Sequence, residues 1–289
     1  MSGILNFFAY TFGYVLNFIY NFVGSYGWAI IIFTILLKIL MVPMTIKQQK
    51  SMKKNAKIQA LAKEIQDKYS NDKLRMNQEL TELYKNEKMS LGCFSSIFQI
   101  LVILSIFFLV SKPLTYMKQI DAEVINEYTT KVQEESESEV RYTEIAIINN
   151  YSSENEDLKI NMSFLGLDLS DIPTENLGDI KVYIIPTLYV ITSILSMKLT
   201  TKATNNLNKK DDSKKLLEEK ENKKEDKKEE ITQEEMMADM SKNMTYIMPF
   251  MTVSIALIAP LGLALYWFVS NLLTIAERQV IDKLIKEEE

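Results

Sequence analysis

Tyr26-Gly27-Trp28-Ala29-Ile30-Ile31-Ile32-Phe33-Thr34-Ile35-Leu36-Leu37-Lys38-Ile39-Leu40-Met41-Val42-Pro43 is the stretch that decides the fold. A hydrocarbon core of roughly 30 Å takes about 20 apolar residues per helix. The run from Tyr26 to Ile46 supplies them, with Lys38 as its single charge. Outward from it, Leu91 to Val110 is a second such run, closed by Lys112 and Pro113, and Ile180 to Leu199 is a third. Tyr246 to Ala276 holds 31 residues without a charge, too long for one span at 1.5 Å per residue. Pro260-Leu261-Gly262 near its middle is turn chemistry, so the run reads as a tight hairpin of two short spans. A single kinked helix is the alternative.

Averages hide this pattern. The chain has 289 residues, 47% hydrophobic and 25% charged, with mean hydropathy −0.04. No charge precedes Lys38 and none falls between Lys242 and Glu277. With 38 acids against 33 bases, no global basic field exists to hold nucleic acid. The absence of histidine removes imidazole bases, Ser/His and Cys/His dyads and nearly all zinc sites. A lone cysteine, Cys93, forbids an internal disulfide, and no Gly-rich phosphate loop occurs. The expectation is a membrane protein that is not an enzyme, with no catalytic residue, metal or cofactor.

Loop charges orient the spans. Lys47 to Ser90 holds eleven Lys/Arg, and Lys198 to Asn243 holds twelve Lys. Pro113 to Ile180 holds four basic residues against fifteen acids. Positive-inside puts the two basic segments in the cytoplasm and the acidic one outside. The fold expected is an all-α polytopic membrane protein: a five-span helical core, an N-terminal interfacial helix and a cytoplasmic helical hairpin. Its parts are an interfacial helix over 1–25, span 1 over 26–46, the hairpin over 47–90 and span 2 over 91–112. An acidic extracytoplasmic loop over 113–179, span 3 over 180–199 and a charged cytoplasmic tether over 200–243 follow. Spans 4 and 5 occupy 244–259 and 261–276, and a cytoplasmic tail 277–289. The N-terminus is then outside and the C-terminus inside.

The first 25 residues separate on a helical wheel. Asn6, Tyr10, Gly13, Tyr14, Asn17 and Asn21 share one sector, and Ile4, Leu5, Phe8, Phe12, Leu16 and Ile19 are among those opposite. That suits a helix lying in the membrane interface; a sixth span or a signal peptide is the competing reading. In 47–90, Ile58, Leu61, Ala62, Ile65 and Tyr69 recur at helical spacing, as do Met76, Leu80, Leu83 and Tyr84. Two helices with narrow apolar stripes would zip together around the Ser70-Asn71-Asp72 turn. Lys53, Lys54 and Lys57 on the first arm are a candidate docking surface for ribosome, chaperone, anionic lipid or partner protein. A solvated linker obeying positive-inside is the plain alternative. Lys202 to Glu235 mixes Lys, Glu and Asp with few apolar residues and can bury no core.

Lys38 is the informative residue. It lies nine positions before Lys47, about 13 Å along a helix from the cytoplasmic border. A buried ammonium costs about 2.5–3.5 kcal/mol on insertion scales. It either snorkels or faces a polar cavity. Nine residues is far to snorkel, which favours the cavity. Gln99, Ser105, Thr187, Thr192, Ser193, Thr252, Ser254, Ser270 and Asn271 are candidate walls, each alone also readable as a helix–helix hydrogen bond. No acid lies inside a span, Glu277 standing only at the last one's end. A cation without an internal anion implies water or a visiting anion.

Several strings together resemble the YidC/Oxa/Alb family of membrane protein insertases. Tyr26-Gly27-Trp28-Ala29-Ile30-Ile31, then Lys38 and Pro43, resembles the family's first core span, with Lys38 where its groove arginine stands. Lys68-Tyr69 and Leu83-Tyr84-Lys85 match strings of its hairpin, and Leu91-Gly92-Cys93 with Gln99 the start of its second span. Pro260-Leu261-Gly262-Leu263-Ala264-Leu265-Tyr266-Trp267, then Ser270-Asn271, is the most specific match. The departures are Lys38 for arginine, Ser95 and Leu101 where prolines are usual, Glu277 for glutamine, and a longer, more acidic outer loop. The resemblance implies a bacterial plasma-membrane insertase that needs no cofactor. Its substrates would be nascent membrane proteins, and the Sec translocon, the ribosome and membrane lipids its further partners. The implied substrate groove is lined by Lys38, Gln99, Thr187, Ser193, Trp267 and Asn271. A membrane scaffold, or a small anion transporter or channel with Lys38 on its path, is the rival class.

Overall fold

The computed structural model describes residues 2–70, 72–86, 93–136, 139–212 and 254–288. Their helices are α1 (Ser2–Val23), α2 (Tyr26–Lys68), α3 (Lys73–Asn86), α4 (Cys93–Ser111), α5 (Ala122–Glu135), α6 (Thr143–Tyr151), α7 (Ile184–Asp212) and α8 (Leu261–Glu288). One two-stranded antiparallel hairpin, β1 (Ser163–Phe164) with β2 (Leu167–Asp168), is the sheet structure among the described residues. The protein is all-α, as the apolar runs require. Most of the charged tether and the first part of the expected fourth span lie outside the described residues.

Among the described residues two helical segments, Tyr26–Ser51 and Ile180–Leu199, are long and apolar enough to cross a membrane, and only 22% of each apolar window is buried. A core helix of a water-soluble domain would be mostly buried. Instead, Leu36, Ile39 and Leu40 on α2 and Leu188, Ile191 and Leu195 on α7 are exposed. An apolar surface of that extent calls for lipid or a partner to cover it. The chain divides into two compact units, one of residues Met1–Met41, Ser96–Ile194 and Pro249–Glu289, the other of Val42–Ser95 and Leu195–Met248. Along α2 the division falls beside Pro43, which removes one helical hydrogen bond.

In the first unit the acidic stretch 113–179 is built on a core of its own. Ile125 and Val132 on α5 and Ile145 and Ile148 on α6 repeat at helical spacing and are buried. Asp121 caps α5 by accepting from the Glu123 backbone N–H at 3.0 Å. The β1–β2 turn, Leu165-Gly166, has positive φ at both residues, 51° and 80°, as a two-residue hairpin demands. It presents the Phe164 ring to Gly27, where a Cβ would overlap it, and edge-on to Trp28 at 5.5 Å. At the start of α8 the Leu261 and Gly262 N–H groups, which have no partner within the helix, donate to the Asp171 and Leu169 carbonyls, each at 2.9 Å.

The helix α1 buries Ala9, Leu16 and Ile19 and leaves Phe7, Phe18 and Phe22 exposed. Part of its polar sector meets the π-helical turn Leu114–Lys118: Tyr116 donates to Asn6 Oδ1 at 3.0 Å, and its ring meets Tyr10 edge-on. Gly13 lies against the same turn, so close that a Cβ there would overlap the Tyr116 carbonyl.

That turn is anchored by Glu144, buried on α6, whose carboxylate accepts from the Thr115 N–H at 2.9 Å and its hydroxyl at 2.6 Å. Burial pushes its carboxyl above the ordinary range even so. The folded chain therefore holds this proton more tightly than the unfolded one. The stability this contributes is full below the ordinary carboxylate value and is lost as pH rises through the raised one. Glu144→Gln should flatten that loss, measured as unfolding midpoints between about pH 4 and pH 8.

In the second unit, Ile58 and Ala62 on α2 and Leu80 on α3 are buried, while Leu61 is 41% exposed. Leu61 is thus not the zipper contact its spacing suggested; Ile58 and Ala62, four apart, hold the buried face. Leu80→Ala should cost about 2–5 kcal/mol, read as faster hydrogen exchange across α3, whereas Leu61→Ala should leave exchange there unchanged.

Candidate functional site

On α8, Trp267, Ser270, Thr274 and Glu277 follow one another at steps of three, four and three, which keeps them on one helix face. Lys38 of α2 meets that face. Its ammonium donates to the Thr274 hydroxyl oxygen at 2.7 Å, and Thr274 donates its own hydrogen to the Ser270 carbonyl at 2.7 Å. Glu277 Oε2 stands 3.8 Å from Lys38 Nζ; the two side chains are 10% and 23% exposed. This is an ion pair held beyond the roughly 2.7–2.9 Å of a charge-assisted hydrogen bond. Neither carboxylate oxygen accepts a hydrogen bond from a described residue.

The expectation of a cation without an internal anion is therefore corrected. A sequence reading ends the apolar run at Ala276, but α8 continues unbroken to Glu288, so Glu277 is still on the helix at the level of Lys38. Thr274 was missed altogether. Its signal was available, four residues after Ser270 and seven after Trp267.

The other expected residues fall variously. Trp267 is half-buried and packs on Tyr189 of α7, ring centres 5.6 Å apart. Asn271 is half-buried beside Ser270, and Ser193 is half-buried one turn along α7 from Tyr189. Thr187 is exposed, about 200° around α7 from Tyr189. Gln99 is half-buried on α4. Ser105 takes the plainer reading of a helix–helix contact: it is buried, and its hydroxyl lies 2.8 Å from the Leu101 carbonyl of its own helix and 3.4 Å from the Leu5 carbonyl of α1. Thr252 lies outside the described residues. On the second unit Lys54 and Lys57 are exposed, and the Lys53 side chain lies outside the described ones.

Long helices with apolar surfaces, enclosing a lysine bonded to a facing helix, define an α-helical membrane protein with a polar interior site. The sequence model of one family, described as 60Kd inner membrane protein, matches residues 18–288, and the chain belongs to that family. Its relatives include a protein of Fusobacterium nucleatum named membrane protein insertase YidC, 26% identical over 262 residues. That match covers 90% of this chain and 87% of the relative. A Geobacter metallireducens protein of the same name is 26% identical over 263 residues, 90% of this chain but 34% of the relative. One from Oleidesulfovibrio alaskensis is 42% identical over 109 residues, 37% of this chain and 18% of the relative. The chain thus spans most of one such relative and about a third or less of the other two.

Proposed function

We propose that this protein is a membrane protein insertase that moves hydrophobic segments of newly made proteins into the bilayer. The observation that carries it is the alignment with the Fusobacterium insertase along nearly the whole of both chains. Lys38 supports it: a cation on an apolar helix keeps a groove wet and thins the barrier that a polar client tail must pass. We assign Lys38, Gln99, Ser193, Trp267 and Asn271 to that groove, Thr187 falling on the other side of α7 from the Tyr189–Trp267 contact. The client's apolar helix then leaves into lipid, and its transfer free energy drives the step. Insertion of this kind needs no covalent chemistry and no cofactor, which agrees with a family of membrane proteins and not of enzymes.

Five spans cross a bacterial plasma membrane, with the N-terminus outside and the C-terminus in the cytoplasm. Lys53, Lys54 and Lys57 on the first arm of the hairpin are the docking surface in this reading, for ribosome, chaperone, anionic lipid or partner protein. Depleting the protein should slow insertion of short, Sec-independent membrane proteins; unchanged insertion would defeat the reading. With Cys93 removed, single cysteines at Ser136 and Ser153 should react with an impermeant reagent outside intact cells. A cysteine at Ser70 should stay protected until the membrane is opened, and labelling there from outside would reverse the topology.

A further inference from the structure

The site is not a bare cation. Lys38 carries three donors, one of them spent on Thr274, and it faces a carboxylate 3.8 Å away whose two oxygens accept no hydrogen bond from any described residue. Opposite charges that close nearly cancel at the distance from which a client approaches. A client carboxylate reaching for Lys38 meets the Glu277 charge beside it and, on displacing Glu277, leaves that carboxylate buried and unpaired. A neutral amide meets no such obstacle. Its carbonyl accepts from the Lys38 ammonium while its N–H donates to Glu277, satisfying both partners at once.

Resting on the insertase reading, we propose that Glu277 sets which segments the site takes: by neutralising Lys38 it suits the groove to polar, uncharged, amide-bearing client tails in preference to acidic ones. Thr274 holds the ammonium on α8 so that it and the carboxylate are presented together. Glu277 is here a specificity residue, acting on the client both by its own contact and by neutralising Lys38.

The test uses the full chain reconstituted in phosphatidylcholine vesicles, which carry no net charge to bias the result. The clients are single-span proteins whose translocated tails differ only in two positions, both Gln or both Asp. Protease protection reads insertion. Wild type should insert the Gln tail at least as well as the Asp tail. Glu277→Gln should shift the Asp-to-Gln ratio toward Asp by roughly fivefold or more, the scale of a partly screened charge interaction. Glu277→Asp, which keeps the charge, should keep the wild-type order. A change in fold alone would lower both clients together and leave the ratio unmoved. An unchanged ratio in Glu277→Gln would overturn the proposal, and so would a wild type that prefers the Asp tail, whatever the variant does. A wild type that inserts neither client above empty vesicles would instead defeat the insertase reading itself.

Discussion

Lys38→Met should give a protein that reaches the membrane but is unstable there and inserts poorly. Removing the ammonium strands Glu277, whose side chain is 10% exposed, without its counter-charge. Breaking one half of a buried pair costs about 3–5 kcal/mol, because the remaining charge is uncompensated. The unfolding midpoint in detergent should fall accordingly, and the double variant Lys38→Met with Glu277→Gln should recover most of it. Insertion should not recover in the double variant, since a groove without charge has lost what kept it wet. Lys38→Arg should keep both stability and insertion. Lys38→Glu should be worst, placing two carboxylates side by side. A snorkelling lysine predicts the opposite order, with Met harmless. The ammonium's bond to Thr274 at 2.7 Å directs it into the protein and argues against that outcome. Full insertion by the double variant would show that the charge is tolerated and not used.

The second large effect is expected far from that site, at Gly13. A side chain there would run into the Tyr116 carbonyl, which is backbone within a π-helical turn and cannot rotate aside. Overpacking usually costs about 1–3 kcal/mol, and an obstacle that cannot move puts Gly13→Val at or above the top of that range. Expected are a lower unfolding midpoint and protease cleavage within α1, the helix prised from Tyr116. Gly3, on the same helix but with open space around it, should accept Ala without loss. Equal protease resistance of Gly13→Val and wild type would show that α1 has no need of this seat.

The apolar helices were legible because lipid imposes a length and a composition that no other solvent does, and Tyr26 to Ile46 shows both. The stretch 113–179 was legible only as acidic. Its fifteen acids set the composition, while a modest set of residues, Ile125, Val132, Ile145 and Ile148 among them, carries the core at a period that a charge count does not register. Lys38 drew attention as a charge in an apolar run, a local anomaly. Its partner Glu277 lies 239 positions away. The start of α8 is marked by Pro260-Leu261-Gly262, but which of its residues comes level with Lys38 depends on how α8 is set against α2, and no pattern within either helix announces that. Thr187 illustrates the converse. A polar residue in a span is visible from sequence, but the side of the helix that meets a neighbour is not. Leu61 went wrong for the same reason, one residue off the face that Ile58 and Ala62 bury.

The junction at the head of α8 is made of main-chain atoms, the Leu169 and Asp171 carbonyls receiving the Gly262 and Leu261 amides. Such a joint is indifferent to most replacements at the exposed positions around it, so the letters there can drift over generations while the joint persists. It is intolerant of miscounting. Losing or gaining one residue between Met162, whose carbonyl accepts from the Leu169 N–H, and Asp171 would carry both acceptors out of register. Insertions in this half of the protein belong instead between α5 and α6, a connection that supplies neither acceptor of that joint. What the 162–171 stretch must transmit to its descendants is a length.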